Sequence, residues 1–229
     1  MRLHRFFIDE QVGNRNVLKI GNPDQIHQWM KVFRYKAGDK IYIFDNSGFE
    51  YLAEFSSLHK KEAELKILEK NKVQNLPKKN VWLFQSLIKK DNFEWVVEKG
   101  TELGVSAFCP VESERSEKKG LNFERAGKIV IEASEQSGRG MVPEIKEVVN
   151  LEKALQICEE NEIFPICFDL NGEYVNQNNL DELVFEKKVG TFIGPEGGWT
   201  EKEINLFKQR EIPVLGLGAQ VLRAETAAI

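Results

Sequence analysis

A glycine-rich segment that joins a predicted strand to a predicted helix is the part of this sequence best suited to bind a small molecule. Residues 189–193 have the composition of a short buried strand, and residues 194–198, with the sequence GPEGG, interrupt it. Thr200 and Glu203 then have the spacing of a capping box, which predicts the start of a helix. In open α/β sheets, ligands bind outside the carboxyl ends of the strands, and glycine lets them approach the main chain. The pattern therefore predicts a ligand loop lined by backbone groups.

The common nucleotide-binding fingerprints do not fit this loop. A phosphate-binding loop ends in Gly-Lys followed by Ser or Thr, whereas here Trp199 follows Gly198. The pair Gly216 and Gly218 would need a third glycine at position 221 to complete a dinucleotide fingerprint, and that residue is Val221. The residues thus indicate a ligand loop that is not a phosphate cradle. The alternative is an ordinary glycine-rich turn between strand and helix.

Two further loops are predicted at strand ends in the same half of the chain. Residues 169–172 follow one strand, and residues 216–226 follow another and carry Arg223 and Glu225 in apolar surroundings. Like the GPEGG loop, they lie at the carboxyl ends of predicted strands, where ligands of such sheets bind.

A charged cluster on a predicted helix is a second source of catalytic groups. Glu132, Gln136 and Arg139 are spaced i, i+4 and i+7 in the helix predicted over residues 122–138, so we expect them on one face. The flexible, glycine-containing end of this helix would let the Arg139 guanidinium reach an anion. A solvated helix face is the alternative.

Arginine and aromatic residues alternate in the first part of the chain. The arginines are Arg2, Arg5, Arg15 and Arg34, and the aromatic residues near them are Phe6, Phe7, Trp29, Phe33 and Tyr35. Arginine beside aromatic rings is typical of surfaces that contact RNA phosphates and stack bases. The alternative is a small β-barrel with an aromatic core and ordinary surface charges.

The composition argues against several classes of protein. Of the 229 residues, 41% are hydrophobic, which suffices for a core, and no apolar run reaches the roughly 18 residues that span a membrane. The N-terminus lacks the apolar core of a signal peptide. Three scattered cysteines are typical of reduced thiols, and the histidines and cysteines show no metal-binding spacing. We therefore expect a cytoplasmic protein with no metal and no membrane segment.

The charge distribution divides the chain into two parts. Residues 1–75 contain 13 Lys and Arg against 10 Asp and Glu, whereas residues 76–229 contain 19 against 26. The polar segment 74–80, which contains a proline, is the predicted linker. We therefore predict two domains, residues 1–74 and 75–229, and the mildly basic first domain is the candidate for binding RNA.

The predicted elements also differ between the two domains. The first is mainly β, with strands at 2–9, 16–22, 40–45, 49–55 and 61–70 around one helical run from Pro23 to Val32, which suggests a small barrel. Residues 61–70 could also form a helix, but their apolar residues alternate with the period of a strand. The second domain has strands at 81–88, 105–111, 163–170, 189–193 and 212–217, and helices at 91–103, 122–138, 151–158 and 200–210. This alternation predicts a parallel sheet with helices on both faces.

Two helix ends of the second domain carry specific signals. Asp91 and Glu94 have the spacing of a capping box at the start of its first helix, and Gly104 is the predicted end of that helix. The final residues 225–229 have the composition of a helix that has barely begun, so we expect the natural chain to continue.

The glycine-rich motifs resemble those of a known enzyme family. GPEGG at 194–198 before an acidic helix, together with LGLGAQVLRAETA at 215–227, closely resembles the ribosomal RNA small subunit methyltransferase E family of SPOUT-class enzymes. The resemblance extends to RFF at 5–7, EKGTELGV at 98–105 and EASEQSGRGMVPEI at 132–145, and so covers essentially the whole chain.

This resemblance implies both a fold and an activity. The fold would be α/β, with a PUA-like β-barrel followed by a SPOUT-type parallel sheet that ends in a trefoil knot, in a homodimer. The activity would be transfer of methyl from S-adenosylmethionine, bound in the knot, to N3 of a uridine in the decoding region of 16S rRNA of the small ribosomal subunit. The cofactor-binding residues that the resemblance implies are Leu170, Ile193, Gly194, Pro195, Gly197, Gly198, Leu217, Gly218, Leu222 and Thr226.

Charged residues near these motifs are the candidates for catalysis. Arg139 or Arg223 would stabilise negative charge on the uracil oxygens, and Glu225 or Glu132 would accept the N3 proton. The family usually has arginine where this chain has Gln220, so this site has one cation fewer than is usual in the family. The rival hypotheses are an RNA-binding module without catalysis, another SPOUT RNA methyltransferase with a different target nucleotide, and a cofactor enzyme that acts on small molecules.

Overall fold

The structure, a computed structural model, describes residues 3–74, 76–116, 121–175 and 186–229. The described chain forms two compact units, which we call the N-terminal and the C-terminal unit. The first contains the residues up to Leu76 together with Ser134–Val142, and the second contains Pro77–Ala133 and Pro143–Ile229. Residues 134–142 bond to the N-terminal unit: Glu135 Oε1 accepts a hydrogen bond from the backbone N–H of Phe7 at 2.9 Å.

A five-stranded sheet forms the N-terminal unit. Its strands are β1 (Arg5–Phe7), β2 (Val17–Ile20), β3 (Lys40–Phe44), β4 (Phe49–Leu58) and β5 (Ala63–Lys72). Their order is β1-β3-β4-β5-β2, with β1 parallel to β3 and the other neighbours antiparallel. One core cluster includes Phe6 from one edge strand and Leu18 from the other, so the sheet curls around a shared core. The predicted β character, including a strand at 61–70, is confirmed.

The helical run predicted from Pro23 to Val32 changes its hydrogen-bonding pattern midway. Helix α1 spans Pro23–His27, and a π-helical turn follows at Gln28–Val32. Asn22 caps α1, because its Oδ1 accepts a hydrogen bond from the N–H of Asp24 at 3.0 Å. The π-helical turn buries Trp29 in the core. The helical run is confirmed, and no local sequence pattern predicts its π-helical half.

A parallel sheet forms the centre of the C-terminal unit. Its strands are β6 (Asn80–Ser86), β7 (Ala107–Glu112), β8 (Glu144–Ile145), β9 (Val149–Asn150), β10 (Phe164–Tyr174), β11 (Lys188–Ile193) and β12 (Val214–Gly216). The order is β12-β10-β11-β6-β7-β8, and β9 also pairs with β7. Every described pairing in this sheet is parallel, as the alternation of strands and helices predicts.

Five helices of the described chain accompany this sheet. They are α2 (Lys90–Leu103), α3 (Phe123–Ser137), α4 (Leu151–Glu160), α5 (Glu201–Gln209) and α6 (Ala224–Ala227). The capping box of Thr200 and Glu203 at the start of α5 and the left-handed Gly104 at the end of α2 are confirmed. The predicted cap at Asp91 is wrong, because the extended residue that precedes α2 is Lys89 and Asp91 lies inside the first turn.

Both faces of the parallel sheet are buried. Phe84 of β6 and Phe192 of β11 stack with their ring centroids 4.4 Å apart and belong to a core cluster with side chains of α4 and α5. Their chain neighbours Leu83 and Ile193 point to the opposite face and are only 2% and 3% exposed. Side chains of both faces therefore pack under other elements, as in sheets flanked on two sides.

Cys109, Cys158 and Cys167 are buried free thiols. In the described ranges, no helix is long and apolar enough to cross a membrane. Over the same ranges, no group of three or more His, Cys, Asp or Glu side chains is arranged to hold a metal ion.

Candidate functional site

Three loops surround one cavity in the C-terminal unit, two of them after the ends of strands and one within a strand. β12, β10 and β11 lie side by side, and we call residues 169–172 within β10 the first loop, residues 194–198 after β11 the second loop and residues 217–223 before α6 the third loop. The cavity has a volume of about 570 Å³ and is lined by residues from all three. A volume of this size is typical of a small-molecule site.

The first loop is a bulge inside a continuous strand. The register of β10 against β12 shifts between Phe168 and Glu173, so the four residues between them leave the ladder and β10 then pairs with β12 again. Asp169 Oδ1 accepts a hydrogen bond from the N–H of Asn171 at 2.9 Å, which shapes the turn. A Cβ on Gly172 would lie 2.4 Å from the carbonyl carbon of Leu215, so only glycine fits at this approach. The strand predicted to end at residue 170 therefore continues beyond the loop.

The second loop is held by contacts with two other elements and by a hydrogen bond of its own. Glu196 Oε1 accepts a hydrogen bond from the backbone N–H of Lys89 at 3.2 Å. Trp199 Nε1 donates to the carbonyl of Phe168 at 3.1 Å and so links the second loop to the strand that carries the first. Within the loop, the N–H of Gly198 donates to the carbonyl of Pro195 at 2.9 Å, and Gly198 has a φ of 67°, which favours glycine.

The turn after β7 contacts the C-terminal part of the second loop. Arg115 Nη1 donates to the carbonyl of Gly197 at 2.8 Å. Glu203, which is 5% exposed, accepts hydrogen bonds from the N–H of Glu114 at 2.9 Å and from that of Thr200 at 2.8 Å. The capping-box carboxylate therefore fixes this turn as well as its own helix. Sequence reasoning does not find Arg115, since no local spacing relates it to Gly197.

The third loop exposes apolar side chains beside the cavity. Leu217, Val221 and Leu222 are 47%, 79% and 38% exposed, and Leu170 of the first loop is 57% exposed. All four line the cavity. Gly218, with a φ of 139°, adds bare backbone to the same wall. A cluster of exposed aliphatic groups around a cavity marks a surface that binds an apolar part of a ligand.

Two charged groups at the start of α6 have very different exposure. The Glu225 side chain is 13% exposed, whereas that of Arg223 is 86% exposed, and Arg223 Nη1 lies 3.9 Å from Glu225 Oε1. Asn92 Nδ2, from the first turn of α2, donates to Glu225 Oε2 at 3.3 Å. Asn92 and Lys89 line the cavity, and the sequence patterns do not identify either of them.

Most residues that the resemblance implies for cofactor binding line this cavity. Those that line it are Leu170, Ile193, Gly194, Pro195, Gly198, Leu217, Gly218 and Leu222. Gly197 and Thr226 are adjacent in sequence to lining residues but are not among them. Gln220, which stands where the family usually has arginine, lines the cavity too.

The candidate catalytic residues divide into two groups. Arg223 and Glu225 line the cavity, whereas Arg139 and Glu132 are not among its lining residues. The predicted common helix face of Glu132, Gln136 and Arg139 is wrong, because α3 ends at Ser137 and Gly138 follows with a φ of 72°. Arg139 is therefore beyond the helix and is 7% exposed, and burial lowers the pKa of its guanidinium.

The arginines predicted to contact RNA have different surroundings in the N-terminal unit. Arg5 pairs with Glu50 at 3.1 Å and lies over the Tyr42 ring, and Arg15 pairs with Glu10 at 2.9 Å. Arg34 is exposed, with a φ of 58°. Arg2 lies outside the described residues. Of the aromatic residues near them, Phe6 and Trp29 are core residues, as the barrel-core alternative predicts, and Phe33 and Tyr35 pack against that core.

Comparison with known proteins gives the family. Residues 74–229 match the family model of the RNA methyltransferase domain, and residues 30–68 match that of the RNA methyltransferase PUA domain. The ribosomal RNA small subunit methyltransferase E of Bacillus subtilis is 30% identical over 241 aligned positions, which cover 99% of this chain and 93% of that protein. This chain belongs to the ribosomal RNA small subunit methyltransferase E family.

Other members of the methyltransferase E family agree with this assignment. The protein of that name from Rickettsia conorii is 26% identical over 100% of this chain and 93% of its own length. The crystal structure of the Neisseria gonorrhoeae methyltransferase E, bound to S-adenosyl methionine, is 30% identical and matches with a TM-score of 0.89 over 99% of this chain and 94% of that one. The predicted fold class, a PUA-like domain followed by a SPOUT-type parallel sheet, is confirmed.

Proposed function

We propose that this protein transfers a methyl group from S-adenosylmethionine to N3 of a uridine in the decoding region of 16S rRNA. The observation that carries the proposal is the cavity formed by three loops of adjacent strands, in the region that matches the RNA methyltransferase domain. The relatives named above, one of them bound to the methyl donor, support the cofactor and the rRNA substrate. The target atom and its location in the decoding region come from the family resemblance.

The residues around the cavity fit S-adenosylmethionine. The aliphatic side chains of Leu170, Leu217 and Leu222 are exposed there and suit the flat, largely apolar adenine ring. Gly194 and Gly218 present main chain to the same space, and backbone N–H and C=O groups can bond the polar edge of the ring. When bound, this group supplies a methyl carbon made electrophilic by a sulfonium.

The protein's own groups must orient the uridine and take up its N3 proton. The transfer needs an in-line approach, so positioning and exclusion of water are the main contributions of the protein. Arg223 at the rim would stabilise charge on the uracil oxygens, and Glu225 at 13% exposure would accept the proton. Arg139 and Glu132 are the alternatives for these roles. Since N3 lies on the pairing edge of uracil, the target base must leave any pairing before it enters the site.

The proposal extends to the assembly and to RNA binding. From the resemblance we infer a trefoil knot at the three loops, a homodimer and a cytoplasmic location. Gly172 of the first loop approaches the backbone of Leu215 in β12, the strand that the third loop follows. We further propose a PUA-like domain at residues 1–74, in which Arg2, Arg5, Arg15 and Arg34 contact the rRNA, and a methyltransferase domain at residues 75–229.

The proposal is tested by mass analysis of 16S rRNA from cells with and without the gene. We expect 3-methyluridine in the decoding region only in cells that have it, and restoration by the cloned gene. Loss of a methyl group at a different nucleotide would show that the proposed target nucleotide is wrong. A pure RNA-binding module would show no S-adenosylmethionine binding by calorimetry, and an enzyme for small molecules would methylate a free nucleoside or metabolite without rRNA. Methylation assays with the purified protein, on undermodified free 16S rRNA and on small ribosomal subunits, then show which of the two is the substrate.

A further inference from the structure

The helix that carries Glu225 depends on contacts with other elements for its position. Helix α6 has only four residues, Ala224–Ala227, and its N-cap Arg223 makes no side-chain cap hydrogen bond. It contacts α2, so α2 contributes to the position of its side chains. The neighbour that reaches the Glu225 carboxylate is Asn92 of α2.

The two oxygens of Glu225 have different partners. Oε2 accepts a hydrogen bond from Asn92 Nδ2 at 3.3 Å. Oε1 lies 3.9 Å from Arg223 Nη1, whose side chain is 86% exposed and thus free to move towards a ligand. The carboxylate is 13% exposed, and both Glu225 and Asn92 line the cavity. Asn92 therefore holds one oxygen by a hydrogen bond, while the other has the longer contact with the exposed Arg223.

We propose that Asn92 is a positioning residue for Glu225 in the methyl transfer. The amide has one function in this proposal: it holds Oε2, so that Oε1 is directed at the N3–H of the uridine. Rigid placement of a general base within hydrogen-bond distance is what makes the proton transfer efficient. This inference rests on the proposed function, in which Glu225 is the proton acceptor.

The proposed step balances in atoms and electrons. The N3 proton passes to Glu225 Oε1, and the electron pair of the N3–H bond forms the new bond from N3 to the methyl carbon. The electron pair of the methyl–sulfur bond stays on sulfur. Glu225 releases the proton to solvent after the product leaves. The other charged groups that line the cavity are Lys89, Asp169, Glu196 and Arg223.

The test compares substitutions of Asn92 with the substitution of a second asparagine, Asn161, which lies away from the cavity. Asn92→Ala removes the donor, Asn92→Asp replaces it with a carboxylate that repels Glu225, and Asn92→Gln restores a donor on a longer side chain. The control is Asn161→Ala, because Asn161 Nδ2 also donates a hydrogen bond, to the carbonyl of Ile157 at 2.9 Å, at the end of α4 and away from the cavity. Each variant is measured for kcat and KM on rRNA, for Kd of S-adenosylmethionine by calorimetry and for thermal unfolding.

We expect a separation of kcat from binding. Asn92→Ala should lower kcat about tenfold to a hundredfold with KM and Kd changed less than about twofold, Asn92→Asp should lower kcat further, and Asn92→Gln should recover part of the loss. Asn161→Ala should keep kcat while losing a comparable amount of thermal stability. An unchanged kcat in Asn92→Ala and Asn92→Asp, or equal losses in Asn161→Ala, would overturn the positioning role.

A further variant separates failure of this inference from failure of the proposed function. Glu225→Gln should lower kcat by about a hundredfold to ten-thousandfold, because it removes the base itself. If Glu225→Gln is fully active, the proton acceptor of the proposed function is wrong and Asn92 has nothing to position. If Glu225→Gln is inactive while Asn92→Asp remains fully active, only the positioning role is wrong.

Discussion

The backbone N–H of Lys89 donates a hydrogen bond to Glu196 Oε1 at 3.2 Å, and this contact joins the second loop to the N-terminus of α2. Lys89 is the residue that precedes the helix, so the carboxylate lies at the positive end of the helix dipole. Three residues later, Asn92 holds Glu225 of α6. The N-terminal end of α2, with its cap residue, therefore bonds both to the second loop and to α6, the helix that follows the third loop.

Removal of the Glu196 carboxylate should weaken cofactor binding. Glu196→Ala frees the second loop from α2, and we expect the Kd for S-adenosylmethionine to rise about fivefold, which corresponds to about 1 kcal/mol for a hydrogen bond to an exposed charged group. Isothermal calorimetry measures this. Glu201→Ala, an exposed residue in the first turn of α5, is the control and should keep the wild-type Kd. Equal affinities for both variants would show that the contact does not shape the site.

Arg115 should act on the same loop from its other side. Its guanidinium bonds the carbonyls of Gly197 at 2.8 Å and Trp199 at 3.5 Å, and its stem lies against Gly197. We expect Arg115→Ala to raise the Kd for S-adenosylmethionine about threefold to tenfold, and Arg115→Lys to recover little, because Nη1 donates both hydrogen bonds and the ammonium of the shorter lysine side chain does not extend as far. Arg210→Ala, which breaks a surface pair with Glu159, serves as the comparison and should leave the Kd unchanged.

A methyl group on Gly172 should destabilise the pairing of β10 with β12. The new Cβ would lie 2.4 Å from a backbone atom of Leu215, and backbone cannot move aside as a flexible side chain can. We expect Gly172→Ala to reduce the free energy of unfolding by about 3 kcal/mol in urea titrations. Gly127→Ala is the matched control, since its Cβ would meet nothing within 4 Å inside helix α3. That variant should gain about 0.5–1 kcal/mol, so equal effects of the two substitutions would contradict the close approach.

The buried thiols should make stability fall in alkaline solution. Desolvation raises the pKa of Cys109 and of Cys158 to about 12, and also raises that of Cys167. The unfolded thiols ionise near a pKa of about 8.5, so the folded state binds more protons above that pH and the free energy of unfolding decreases as pH rises towards 12. Urea titrations at pH 7.5, 9 and 10 follow this decrease, and Cys→Ser variants should reduce it.

Thiol labelling offers an independent check on the same residues. We expect iodoacetamide at pH 8 to leave all three cysteines unmodified in the native protein and to alkylate all of them in urea, because the thiolate is the reactive form. Mass spectrometry counts the adducts. Rapid labelling of any one of them without denaturant would mean that its side chain is accessible.

Elements whose signals are local agree with the sequence analysis. The capping box of Thr200 and Glu203 and the terminal Gly104 of α2 depend on residues within a few positions of each other, and the structure confirms both. Asp91 has the same type of spacing but does not cap α2. The helix starts earlier, at Lys90, and the preceding Lys89 bonds with Glu196, which is 107 residues away in sequence. A contact with a residue distant in sequence therefore lies at that boundary.

The amino-acid sequence by itself determined the parallel sheet, the three loops and the family, because periodicity, glycine positions and motifs are local properties of the chain. Only the tertiary structure decided that Lys89 and Asn92 line the site, that Arg115 supports its second loop and that Arg139 lies beyond its helix. Asn92 and Glu225 are separated by 133 residues, and Arg115 and Gly197 by 82. Contacts over such distances arise when strands pair and helices pack, and no spacing within one segment encodes them.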